Sequence, residues 1–177
     1  MKTEFLIRDA IALDMAGIAR VHTEGWRTGY AGIMPEEFLR GRSVEKSRAL
    51  WEKKFAEQSG LILVAERGGG ICGFVSGGKA REGLPGFDSE LYAIYVDQNA
   101  RGLGAGAALL GAFFGRQAAL GARSCARWVL EENPSRKFYE KLGGELLPLR
   151  KPCQFGGKPL VEVAYGWRAL RAGSLFS

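Results

Sequence analysis

The amino-acid sequence predicts a single α/β domain over residues 1–177, with a mixed sheet of about seven strands flanked by about four helices. Three observations carry that expectation. Period-2 and period-3.6 hydrophobic segments follow one another in the order β-α-α-β-β-β-α-β-α-β-β, the alternation of a helix-covered sheet rather than of a bundle or sandwich. A length of 177 residues suits one domain, and no repeat or low-complexity linker divides it. A glycine-rich run, Gly102-Leu103-Gly104-Ala105-Gly106, stands between a strand pattern and a long apolar helix pattern.

Taken in order, Glu4–Arg8 reads as a short opening strand. Asp14 is a start signal for a helix whose apolar face is Met15, Ile18, Ala19, His22 and Trp26. A Gly29–Pro35 loop and a short turn at Pro35–Leu39 follow. Ser43 then caps a helix on which Val44, Trp51 and Phe55 recur at helical spacing. Leu61–Glu66 and Ile71–Ser76 are strands joined by Arg67-Gly68-Gly69-Gly70, a hairpin signal. Gly77 to Asp88, with its glycines, Pro85 and charges, is a loop, and Glu90–Val96 is the next strand. A helix from about Gly104 to Leu120 is closed by Gly121. Ala126–Leu130 is a strand, and Pro134–Leu142 is a helix that opens on proline and stops before Gly143. Strands near Glu145–Leu149 and Leu160–Trp167 complete the pattern.

Composition excludes several classes. With 46% hydrophobic and 25% charged residues the chain is of ordinary globular type. No apolar run approaches the ~18 residues a membrane helix needs, so no membrane partner is expected. The segment Met1–Ile7 is too short and too early acidic for a secretory signal, and the odd, unpaired cysteines fit a reducing compartment, so a cytoplasmic location is expected. Cys72, Cys125 and Cys153 are odd in number and lack a C-x-x-C pair, which argues against a disulfide framework, a zinc site or any other metal centre. His22 is the single histidine available to activate a thiol, and Cys72 and Cys125 read as strand packing. The net charge of +6 is scattered along the chain, so no nucleic-acid partner is expected, though an anionic ligand would be attracted.

The run Val96-Asp97-Gln98-Asn99-Ala100-Arg101-Gly102-Leu103-Gly104-Ala105-Gly106 carries the sharpest chemistry. Alternate glycines between a strand and a helix let the backbone approach a ligand closely. Free N–H groups at the helix start then point outward, where the helix dipole favours a phosphate. Gly102, Gly104 and Ala107 also satisfy the dinucleotide pattern G-x-G-x-x-A, with Glu131 at about the expected distance. Against that reading, Asp97 to Arg101 separate the strand from the first glycine, the turn falls late in the chain, and too little sequence follows to build a second nucleotide-binding half.

Arg101-Gly102-Leu103-Gly104-Ala105-Gly106 resembles the R/Q-x-x-G-x-G/A signature of the GNAT superfamily of N-acetyltransferases, and the element order resembles that superfamily over nearly the whole chain. The segment Asn133-Pro134-Ser135-Arg136-Lys137-Phe138-Tyr139-Glu140-Lys141-Leu142-Gly143-Gly144 adds to the likeness. The resemblance implies a fourth and fifth strand that splay apart around the pantetheine arm of acetyl-CoA. It implies that backbone groups of Ile94, Tyr95 and Val96 pair with the arm, that the amides of Arg101, Gly102, Leu103, Gly104, Ala105 and Gly106 hold the pyrophosphate, and that Asn133 contacts the pantetheine region. It also implies that the Tyr139 phenol reaches the coenzyme sulfur as an acid. A catalytic base is placed by the resemblance at Glu90, whose other reading is a solvated carboxylate at a strand end. Alternation puts Glu90, Tyr92, Ile94 and Val96 on one face unless a bulge intervenes. Trp26, Tyr30 and Tyr92 are expected on the acceptor side, with Met34 nearby. The implied activity is direct acetyl transfer to a primary amine on a small molecule or peptide, with acetyl-CoA as cosubstrate and no metal. The resemblance leaves room for a homodimer, and the alternative on the same fold is a non-catalytic coenzyme A sensor or interaction module.

Overall fold

A computed structural model describes residues 5–171. The elements are β1 (Leu6–Asp9), α1 (Met15–Gly29), α2 (Glu36–Arg40), α3 (Val44–Ala56), β2 (Leu61–Arg67), β3 (Gly70–Lys79), β4 (Ser89–Val96), α4 (Ala105–Ala119), β5 (Cys125–Leu130), α5 (Arg136–Lys141), β6 (Glu145–Phe155) and β7 (Lys158–Trp167). They form a seven-stranded sheet in the order β1-β2-β3-β4-β5-β7-β6. Only the central β4–β5 pair is parallel; every other neighbour is antiparallel. The α/β mixed sheet is therefore as expected, with one helix more, because the turn expected at Pro35–Leu39 is the helix α2, with Pro35 at its N-cap. Glu4, assigned to the first strand, lies outside the described residues.

Three local expectations need revising. β3 runs on past Ser76 to Lys79, through Gly77 and Gly78, which were expected to open a loop. β6 runs on past Leu149 to Phe155, through Pro148 and Pro152. Those prolines break a strand pattern in sequence, yet β6 is the last strand of the sheet, where a missing N–H costs no ladder bond on the open side. Asp14 does begin α1, but not as a side-chain cap of that helix. Its carboxylate accepts from the Ile11 amide at 2.8 Å and takes the Arg8 guanidinium at 2.7 and 2.9 Å. Ser43 caps α3 as expected, its hydroxyl accepting the Lys46 amide at 3.2 Å.

The sheet is covered on both faces, which sets where the site can lie. The largely apolar α4 buries Leu109, Leu110, Phe113 and Phe114 against Leu63, Val75 and Leu91 on one face. On the other, Met15, Ile18 and Val21 of α1 and Trp51 of α3 pack on Val64, Phe74 and Ala93. Burying each such side chain contributes about 1.5–3 kcal/mol, so the centre of the sheet is held rigidly between helices.

β4 and β5 pair only at Ser89↔Cys125 and Glu90↔Ala126, and beyond these residues the strands separate. This is the splay the resemblance implied, and the site lies in the wedge it opens. A bulge reinforces the opening. Ser76 pairs with Ala93 while Gly77 pairs with Leu91, so Tyr92 is an extra residue on β4. Leu91, Ile94 and Val96 consequently share the α4 face, whereas Ala93 and Tyr95 meet α1. The bulge puts Glu90 on the face opposite Leu91 and Ile94, which corrects the simple alternation expected for this strand.

Candidate active site

The wedge forms a cleft of about 500 Å³ reaching from the start of α4 to the splay point. Its mouth is made by the glycine turn. Gly102 and Gly104 have φ of +73° and +96°, a left-handed backbone that L side chains adopt at a cost, and this conformation turns successive amides outward. The first bond within the helix runs from the Ala108 amide to the Gly104 carbonyl at 3.0 Å. The amides from Gly102 to Ala107 have no backbone partner among the described residues. Six unpaired donors at a helix start, with no acidic side chain in the first turn, fit a diphosphate.

Arg101 departs from its expected part. Its amide is already spent on the Asp97 and Gln98 carbonyls, at 3.1 and 3.2 Å. Its side-chain Nε donates to the Val96 carbonyl at 3.1 Å, so the guanidinium, not the amide, faces the cleft. Val96 therefore has its carbonyl engaged within the chain.

Tyr139 reaches the floor of the cleft from α5, buried to 2% exposure. Its phenol oxygen accepts a hydrogen bond from Arg127 Nε at 2.7 Å. With that lone pair occupied, the one phenolic O–H is left to donate elsewhere, and the cleft is the open direction. Arg127 was not anticipated. It stands in the middle of β5, and its Nη1 donates across the splay to the Leu91 and Tyr92 carbonyls at 3.1 and 2.8 Å. Burial opposes its charge, but the Tyr139, Tyr30 and Tyr95 oxygens more than offset that, so the guanidinium stays cationic. It has no carboxylate partner among the described residues, and its Nη2 makes no hydrogen bond there. A lone arginine in an apolar strand was the available signal; what it pairs with was not readable.

The expected coenzyme-side residues Ile94, Tyr95, Val96, Gly102, Gly104, Gly106 and Asn133 all line the cleft. Asn133 is held by its own turn, its Oδ1 accepting the Ser135 amide at 2.9 Å. Leu103 and Ala105 offer amides but no lining side chain. Of the residues expected to meet the acceptor, Tyr30 lines the cleft, its hydroxyl 3.5 Å from that of Tyr95, whose own pKa burial pushes well up. Trp26 lies one layer behind, its ring centroid 4.8 Å from Tyr30.

Glu90 and Tyr92 are placed elsewhere. Glu90 is 1% exposed, so the solvated-carboxylate reading is overturned. Its carboxylate accepts from the Arg81 amide and Nε at 3.0 Å each, and from Arg81 Nη2 at 2.5 Å. Three of its roughly four acceptor sites are thus taken by Arg81, and Glu90 is not among the residues that line the cleft. Tyr92 donates to the Lys79 carbonyl at 2.6 Å under the Arg81 guanidinium and does not line the cleft. His22 packs against Trp51, Phe74 and Tyr95. Cys125 is buried, which pushes its thiol up to about 12. A second, wider groove along α4 is lined mainly by Ala107, Ala108, Gly111, Ala112 and Gly115, with arginines already paired to acids, and offers no proton donor for chemistry. No helix of the described residues is long and apolar enough to cross a membrane.

Strand order and wedge are those of an acetyltransferase, and comparison with known proteins agrees. A profile for the acetyltransferase (GNAT) domain matches residues 58–143. An uncharacterised N-acetyltransferase of Bacillus subtilis (strain 168), YuaI, is 35% identical over 168 residues, 94% of either chain. The chain belongs to the GNAT family of acetyltransferases. Among solved structures, a ribosomal-protein-alanine N-acetyltransferase from Brucella melitensis is 25% identical and superimposes with a TM-score of 0.72, over 92% of this chain and 99% of its own. The PaiA N-acetyltransferase of Thermoplasma acidophilum, solved with coenzyme A, shares the fold at 22% identity and a TM-score of 0.71, over 90% and 98% of the two chains.

Proposed function

We propose that the protein transfers an acetyl group from acetyl-CoA directly to a primary amine, with Tyr139 as the acid. The observation that carries this is the phenol of Tyr139 at the floor of the cleft, its acceptor lone pair filled by Arg127 and its proton left for the cleft. Acetyl-CoA supplies the activated thioester carbon and a thiolate leaving group.

The chain's own residues account for the rest. The Gly102–Ala107 amides bind phosphate and set how deep the cosubstrate reaches. The separated strands leave the edge of β4 at Ile94 open to an extended arm. As the amine nitrogen bonds to the carbonyl carbon and the carbon–sulfur bond breaks, the Tyr139 O–H gives its proton to sulfur. Arg127 then faces the phenolate so formed, a cation 2.7 Å away favours that charge, and the proton that the newly acylated nitrogen must shed returns the phenolate to phenol. An alkylammonium, with a pKa of about 10, must also lose a proton before attack. Glu90 is tied to Arg81, so water in front of the Tyr30 and Tyr95 hydroxyls takes that role. None of Cys72, Cys125 and Cys153 lines the cleft, which supports direct transfer over a thiol-bound acyl intermediate.

The test is calorimetric titration with acetyl-CoA, followed by a thiol-release assay against a panel of amines. Saturable binding and amine-dependent thiol release are expected. Binding without release from any amine would point to a sensor, and absence of binding would remove the reading altogether.

A further inference from the structure

Arg127 carries one donor that the chemistry above leaves unused. Every nitrogen of a guanidinium donates. Here Nε is taken by the Tyr139 phenol at 2.7 Å, and Nη1 by the Leu91 and Tyr92 carbonyls at 3.1 and 2.8 Å. Nη2 has no partner among the described residues, yet it is not one of the side-chain atoms that are sealed from water without a partner. It therefore touches open space, although Arg127 as a whole is only 7% exposed. The open space that Arg127 lines is the acetyl cleft.

The two bonded nitrogens fix where the free one points. Nη1 ties the group to β4 across the point where β4 and β5 part, and Nε ties it to α5. Held at both ends, the planar fork cannot swing, and one Nη2 N–H runs beside the Nε–H that meets the phenol. The floor of the cleft thus offers two unspent protons side by side, one on the Tyr139 oxygen and one on Nη2. A thioester carries its two electron-rich atoms, sulfur and carbonyl oxygen, on a single carbon. With the sulfur at the Tyr139 O–H, the carbonyl oxygen falls to Nη2. No carboxylate among the described residues bonds to this guanidinium, so its charge is not spent before the reaction starts. A fixed donor kept for charge that develops later lowers the barrier rather than merely tightening substrate binding.

We propose that Arg127 is a catalytic residue whose Nη2 stabilises the oxyanion of the acetyl group during transfer, beside the support that Nε gives the phenol. This rests on the acetyl-transfer reading. As the amine lone pair forms the N–C bond, the carbonyl π pair moves onto oxygen, and Nη2 donates to that oxygen. The pair then returns to the carbon. The C–S bond breaks, and sulfur leaves with its bonding pair and takes the Tyr139 proton.

The experiment binds acetyl-CoA, isotopically labelled at the carbonyl carbon, to the whole protein without an amine and reads the carbonyl band by difference infrared spectroscopy. A cationic donor on the oxygen should draw the band below its position for acetyl-CoA free in water. Tyr139→Phe should keep that shift and Arg127→Met should lose it. A wild-type band at or above the free position would overturn the proposal, whether or not the variant folds, as would a shift that survives Arg127→Met. A kinetic arm measures thiol release with an amine that the wild-type protein uses. Placed on a Tyr139→Phe background, Arg127→Met should still lower kcat by about 10²–10³-fold, the worth of one oxyanion donor. No further loss on that background would mean that Arg127 acts through the phenol alone, and the oxyanion role would fall while acetyl transfer stood. Absence of acetyl-CoA binding to the wild-type protein would instead overturn the reading on which the proposal rests.

Discussion

His22 gives a prediction that needs no knowledge of the acceptor. Its Nδ1 accepts from Trp51 Nε1 at 3.1 Å and lies 2.9 Å from Ser47 Oγ. An indole N–H can only donate, so Nδ1 must be bare and the neutral ring carries its proton on Nε2. Burial, with the nearby charges of Arg42 and Lys54 adding to it, lowers the pKa from 6.5 to about 4. Above pH 6.5 both folded and unfolded chains hold a neutral His22, and it contributes nothing to pH dependence. As pH falls from 6.5 towards 4 the unfolded chain takes up a proton that the folded chain refuses, so stability drops by about 1.4 kcal/mol per pH unit. The loss totals about 3 kcal/mol near pH 4 and then levels off as the folded form protonates too. His22→Asn keeps an acceptor for Trp51 but cannot titrate. Urea unfolding at pH 7.5, 6.5, 5.5 and 4.5, followed by far-UV circular dichroism, gives the stability of both proteins; carboxylate titrations cancel in their difference. The variant should be somewhat less stable at pH 7.5 and should gain steadily on the wild type below pH 6.5. A difference that stays constant from pH 7.5 to 4.5 would refute the argument that His22 is held neutral.

The remaining predictions concern the cleft. Tyr139→Phe should lower turnover by about 10²-fold with acetyl-CoA affinity nearly unchanged, and, by leaving Arg127 Nε without its acceptor, should cost about 1–3 kcal/mol of stability. Turnover equal to wild type, with chemistry shown to be rate-limiting, would remove its acid role. The Cβ of Gly104→Val meets no neighbouring atom in the free protein, so the main cost there is the strain of φ +96°, roughly 1–3 kcal/mol. Its larger effect should be weakened acetyl-CoA binding, and calorimetry at wild-type affinity would reject the phosphate placement. Gly77→Ala should destabilise by at least about 2 kcal/mol, because the added methyl would overlap the Glu90 carbonyl and the Phe113 ring beside the bulge. A thermal midpoint within a degree of wild type would show that the bulge relaxes freely.

What could be read from the chain, and what could not, divides along a physical line. Signals that are local in sequence were legible: Ser43 as a cap, the Gly102–Gly106 turn, the hairpin at Gly68–Gly69, and the apolar run of α4. Each is decided by backbone conformation or by periodicity within one element. The succession of strands and helices along the chain was legible for the same reason, whereas the order of the strands within the sheet came only with the structure. Partnerships across the fold were not legible. Glu90 sits at the right offset for a base, but the bulge at Tyr92 and the approach of Arg81 from the loop after β3 decide its environment, and neither is written near Glu90. Arg127 follows the same logic in reverse. It is a lone charge whose meaning depends on oxygens brought from other elements, those of Leu91, Tyr92 and Tyr139. A buried cation without a carboxylate is costly to keep, and the fold keeps the Arg127 guanidinium at the floor of the cleft. That cost is the strongest physical reason to expect negative charge there, transient on the Tyr139 phenol.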